Sequence, residues 1–220
     1  IAVAEQIDPI IVIGRSLDAP IGIDAYDSVV IKRDRLALNA SGRIEDVLGD
    51  VAGFQQFRRV DSRAANPTSQ GATLRALGGN ASSRALVLLD GVPQADPFTG
   101  YIPYSALRPE RLASARVTRG GGAGAFGVGA VAGTIELFSG GPGDLPGISA
   151  RAFGGSRNAS ELAGGIVQRI GSGFASFNAG WDRGDGYILI PASQRGPADI
   201  PARYDAWSVA LRGVAPIDPD

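Results

Sequence analysis

The sequence predicts a mixed fold, with an α+β module first and a run of antiparallel amphipathic strands after it. Three observations carry this. Residues 71–139 hold two buried-type apolar strands, ALVLL at 85–89 and VAGTIELF at 131–138, separated by glycine-dense turns. The segment RIEDVLGDVAGF at 43–54 sets Ile44, Val47, Leu48 and Val51 on one face of a helical wheel, the spacing of a short amphipathic helix. Beyond Gly147 the pattern changes to period two, as in strands with one apolar face.

The elements follow in order. Residues 5–25 contain Pro9 and Pro20 and have no helical or long alternating period, so they read as an extended tail with one apolar patch, Ile10-Ile11-Val12-Ile13. Ala2-Val3-Ala4 ahead of it fits an A-x-A signal cleavage site, with a mature start at Glu5. Residues 26–142 form the α+β module, which includes a plausible strand at 115–119. GGPGDLPG at 140–147 is a turn-rich joint.

In residues 143–220, Ala175, Phe177, Ala179 and Trp181 alternate with Ser176, Asn178, Gly180 and Asp182. Trp207, Val209 and Leu211 alternate with Ser208, Ala210 and Arg212. With 148–153 and 160–170 these make about four strands of roughly ten residues.

Composition excludes several function classes. The 220 residues carry 21 basic and 22 acidic side chains, so no basic surplus points to nucleic acid. There is no cysteine and no histidine, which removes Cys/His metal sites and Ser-His-Asp catalysis. No carboxylate pair has acid–base spacing, and neither an enzyme activity nor a cofactor is expected. With no methionine, the chain is expected to be part of a longer reading frame. Glycine, at 32 of 220, is about twice its usual share of roughly 7% and disfavours a helical protein.

Gly122-Ala123-Gly124-Ala125-Phe126-Gly127 matches a dinucleotide fingerprint, but that site needs a helix to follow. Residues 128–135, VGAVAGTI, make a poor helix and a good turn into a strand. A nucleotide-dependent enzyme is accordingly set aside.

The stretches LRALGGNASSRALVLLDGVP (74–93) and RPERLASARVTRGGGAGAFGVGAVAGTIEL (108–137) together resemble the plug domain of TonB-dependent outer-membrane receptors. The resemblance implies an α+β plug domain followed by the first antiparallel strands of a transmembrane β-barrel. Alternating strands alone suit a soluble sandwich equally, and a free-standing secreted or periplasmic β-rich binding protein is the rival reading. Connection lengths favour the barrel. A tight turn at 171–173 and a long loop at 182–203 match short turns at one end and long loops at the other, with Trp181 and Trp207 flanking the long loop at the interfacial girdle. Four strands cannot close, and an open edge is not tolerated in lipid. The resembled receptors have plugged barrels of about 22 strands, so the chain is expected to be the first part of such a protein.

The resemblance also implies sites and partners. Ile10, Ile11, Val12, Ile13 and Gly14 stand where the family carries its TonB box, an extended segment that adds as a strand to the energy-transducing partner TonB. The plug loops SRAANPTS (62–69) and QADPFTGYIPY (94–104) stand where the family meets its small-molecule ligand. The candidates are Arg63, Asn66, Asp96, Phe98, Tyr101 and Tyr104. The aromatics among them equally suit packing of the plug against the barrel wall. Implied partners are TonB, a scarce small molecule such as a siderophore or vitamin, and outer-membrane lipid, with the tail in the periplasm.

Overall fold

The computed structural model describes residues 27–57, 62–64, 70–74, 83–120 and 127–216. Strand β1 (Asp27–Lys32) leads into helices α1 (Arg33–Ala37) and α2 (Ile44–Leu48). Short strands β2 (Gln55–Gln56) and β3 (Ala72–Thr73) pair with each other, and β4 (Ala85–Leu89) turns into β5 (Val92–Pro93). After 3-10 turns at Tyr104–Ala106 and Pro109–Arg111 come β6 (Leu112–Arg119) and β7 (Gly133–Ser139). One sheet collects β1-β6-β7-β4-β5 in that order. Its β4–β7 pair is parallel, with Val87 opposite Ile135.

The core lies between this sheet and the two helices. Leu36, Ile44, Val47 and Leu48 from the helices meet Val87, Val117 and Ile135 from the sheet, each at most 2% exposed. Burial of each such side chain is worth about 1.5–3 kcal/mol.

Two boundaries differ from the sequence expectation. Helix α2 stops at Leu48, well short of 54, because Gly49 caps it and Gly53 sits at φ +86°. The chain continues in tight turns, with the Val51 N–H donating to Leu48 O at 2.9 Å and the Phe54 N–H to Val51 O at 3.0 Å. Val51 nonetheless stays in the core, 4% exposed, so the apolar face is as expected although the helix is short. Strand β7 begins at Gly133, two residues late. Gly133 has φ +127°, and a Cβ there would lie 2.1 Å from the Thr118 carbonyl oxygen, so only glycine fits.

The second sheet is a four-stranded antiparallel meander, β8 (Ile148–Gly155), β9 (Ala159–Ile170), β10 (Gly173–Gly184) and β11 (Tyr204–Val214). Register makes its two faces chemically opposite. One face stacks Ile148, Ile166, Phe177 and Leu211 in one cross-strand row and Ala152, Leu162, Trp181 and Trp207 in another. Most of these large side chains are 45–80% exposed. The other face carries Arg151, Glu161, Ser176, Asn178, Asp182, Ser208 and Arg212 and lies against the first module. Apolar side chains thus face outward and polar ones inward, the reverse of a soluble sandwich and the rule for a membrane barrel.

The β9–β10 turn at Gly171 is tight and the β10–β11 connection, 185–203, is long. The β8–β9 connection lies at the same end as the long loop, because the Asp185 N–H donates to Arg157 O at 2.9 Å. It is short as well, three residues between the paired Gly155 and Ala159, with Arg157 and Asn158 both at φ +57°. No described helix is long and apolar enough to cross a membrane.

Candidate functional site

The contact between module and wall is built from charge. Glu161 and Asp182 sit directly opposite each other on β9 and β10, a like-charged pair that would destabilise an isolated sheet. Two module arginines resolve it. Arg63 pairs with Glu161 and stands 3.6 Å from Asp182, while Arg108 pairs with Asp182. All four side chains are 5–12% exposed. The Nε of Arg108 also donates to Ser208 Oγ at 3.0 Å. Its guanidinium lies flat on the wall at Gly180, where a Cβ would stand 2.2 Å from that Nε.

Further along, wall Arg151 reaches module Glu110 at 3.2 Å and the Ala40 carbonyl. Wall Arg212 stands 3.8 Å from module Asp90.

Strand β11 serves as a ruler for these contacts. Asp90 meets it at Arg212, Arg108 at Ser208, and Arg63 stacks 5.2 Å from the Tyr204 ring. At a rise of about 3.4 Å per residue they span the wall from its tight-turn end to its long-loop end. Arg63 therefore stands at the long-loop end.

The loop 94–104 is organised by Asp96. One carboxylate oxygen of Asp96 accepts the Phe98 N–H at 3.0 Å, the Thr99 N–H at 2.8 Å and the Thr99 hydroxyl at 2.9 Å. Those bonds, the Thr99 amide first, hold its pKa below the ordinary value. The turn presents Phe98 to solvent, 94% exposed. Burial raises the pKa of Tyr101, with Ser105 opposing.

The sequence candidates thus separate. Asp96, Phe98 and Tyr101 share one loop. Tyr104, 2% exposed, belongs to the module core and not to the loop surface. Arg63 is engaged with the wall. Asn66, the segment Ile10–Gly14 and most of the glycine run at 122–127 lie outside the described residues. Gly127–Ala130 forms a 3-10 turn that feeds β7.

Sequence reasoning missed the charged seam. Its signal was available: Glu161 and Asp182 fall on inward positions of the alternating pattern, where a carboxylate needs a cation from whatever the wall encloses.

The description of the family model that matches residues 24–134 is TonB-dependent Receptor Plug Domain. That is just over half of the chain. The chain belongs to the TonB-dependent receptor plug family. No curated protein sequence matches the chain.

Solved structures share the fold. The ferric yersiniabactin uptake receptor FyuA from Yersinia pestis is 20% identical with TM-score 0.52, covering 86% of this chain and 28% of its own. The copper transporter OprC is 22% identical with TM-score 0.56, covering 82% and 26%. The ferric-catecholate import receptor Fiu from Escherichia coli K12 is 20% identical with TM-score 0.56, covering 76% and 22%. The chain therefore spans about a quarter of the length of the receptors it resembles. Its first sheet is the plug, and its second corresponds to the start of the barrel wall. The family is one of receptors and transporters, not enzymes.

Proposed function

We propose that this chain supplies the plug and first wall strands of a TonB-dependent transporter that takes up a scarce small molecule across the bacterial outer membrane. The observation that carries the reading is the inverted wall, whose polar face lies against the plug and whose apolar face, Leu162, Phe177, Trp207 and Leu211 among its residues, is exposed. In water such a face would aggregate, whereas in lipid it is at home.

In this mechanism ligand binds above the plug, and Asp96, Phe98 and Tyr101, together with Asn66, are the proposed contacts. Phe98 offers an aromatic face beside polar tips, which suits an amphipathic small molecule. Ile10–Gly14 is proposed as the TonB box in the periplasm, where its β-branched residues favour the extended form that strand addition needs. Traction on that strand rearranges the plug. Glycine-rich turns and a charged seam suit a plug that must be moved without breaking the wall.

The test uses Val12→Pro in the full-length receptor. Proline removes a ladder donor, so uptake is abolished while ligand binding is unchanged. Loss of binding, or uptake at the normal rate, contradicts the box assignment.

A further inference from the structure

Plug and wall form a half-open cavity of about 180 Å3 near the tight-turn end, lined by Asp90, Arg111, Ser139, Ser176, Asn178 and Arg212 among others. That is room for a few waters or one small solute. Two smaller cavities of about 70 Å3 also meet at Arg111 and Asn178.

The charges in this cavity do not balance. Among the described residues Asp90 is the one carboxylate lining it, and its Oδ1 already accepts the Ser139 N–H at 2.8 Å. Arg212 stands at 3.8 Å from Asp90, beyond hydrogen-bond range, and lies over the Phe174 ring.

Arg111 is worse served. Its Nε is buried and has no hydrogen-bond partner among the described residues. Of the other carboxylates along the seam, Asp182 pairs with Arg108, and Glu110 pairs with Arg151 through Oε1 while its Oε2 has no hydrogen-bond partner among the described residues. Burial and the like charge of Arg108 act against the Arg111 cation, and Asp90 alone supports it. A guanidinium partly withdrawn from water with a single carboxylate to support it is costly.

We infer that this cavity is an oxyanion site, in which Arg111 and Arg212 hold a phosphate or carboxylate group and Ser176 and Asn178 donate to it. The guanidinium fork matches both oxyanions, and the volume limits the ligand to a small ion or small organic acid. The inference requires the plug seated in its wall but does not depend on the identity of the transported ligand.

The experiment titrates inorganic phosphate into the full-length receptor in detergent at constant ionic strength, following phosphorus line broadening and Tm. Saturable binding with a raised Tm is expected. Arg111→Gln weakens it about tenfold or more, the usual scale for a lost charge-assisted bond. Asp90→Asn keeps an acceptor for Ser139 and tolerates the φ of +49° at this position. By removing the repelling charge it tightens phosphate several-fold, a gain that no folding defect produces. Arg35→Gln, whose parent residue pairs with Asp50 at the surface, leaves binding unchanged.

A parallel titration with malonate separates the sources. Tighter malonate marks the carboxylate of an organic solute, and tighter phosphate marks a free inorganic anion. Equal binding in wild type and Arg111→Gln, no gain in Asp90→Asn, or no saturable binding of either anion would overturn the site.

Discussion

At the scale of single residues, backbone geometry and burial make the sharpest claims. Gly133 has no alternative, because a Cβ meets the Thr118 carbonyl at the start of β7. Gly133→Ala should lower plug stability by about 2–4 kcal/mol, read as a downward shift of the plug transition in calorimetry of the full-length receptor. Glu45 is 5% exposed, and neither carboxylate oxygen makes a well-formed hydrogen bond to a described residue. Burial raises its pKa above the ordinary 4.5, and the nearby Ser62 hydroxyl and Arg43 charge offset this only in part. A carboxyl with a raised folded pKa contributes stability that is full below its unfolded value and is lost as pH rises through the folded one. The plug should therefore melt at lower temperature as pH climbs above 4.5, and Glu45→Gln should flatten that dependence. Tyr104 shows what the sequence withheld at this scale. Its aromatic ring and polar tip read as a binding residue beside Tyr101, and only the 3-10 turn at Tyr104–Ala106 directs it into the core.

At the scale of elements, β4, β6, β7 and the four wall strands were legible and helix α2 was legible in its face, whereas β1, helix α1 and the short strands β2, β3 and β5 were not. Alternation in β10 and β11 gave the inward and outward sets directly, because a side-chain period of two leaves no freedom once one face is chosen. Helix α2 was overextended because Val51 continues the apolar period past Gly49, and turn hydrogen bonds deliver it to the core as well as a helix would. The seam between plug and wall depends on distant residues meeting, Arg63 with Glu161 and Arg108 with Asp182, and no local pattern encodes that. Asp182→Asn leaves Arg108 inside the seam without its anion, and the plug should lose about 3 kcal/mol of hold on the wall. Limited proteolysis of the plug in the intact receptor reads this as faster cleavage. Val209, 58% exposed in the middle of the outward face, makes the complementary test. Val209→Arg should cost about 2–4 kcal/mol in the bilayer and cut the yield of folded receptor, whereas the inward neighbour Ala210→Ser should not.

At the scale of the whole molecule, the chain joins a plug to four wall strands packed against it, and charged pairs match the two along their seam. Family membership was carried by the residues at 74–93 and 108–137. Among the described glycines of these stretches, Gly91, Gly120 and Gly133 hold positive φ, a backbone demand that makes glycine placement a readable pattern. The ligand was not readable, since Phe98 and Asp96 describe a surface chemistry and not a molecule. The central claim is that the second sheet is a membrane wall with its polar face turned to the plug. These 220 residues contain no cysteine, so a spin label introduced on β11 has no competing thiol within them. The most direct test compares oxygen and water-soluble relaxer accessibility for labels at Val209 and Leu211 against Ala210 in the full-length receptor in bilayers. The account predicts that Val209 and Leu211 are open to oxygen and closed to the aqueous reagent, with Ala210 shielded from both. Aqueous accessibility at Val209 and Leu211 would contradict it.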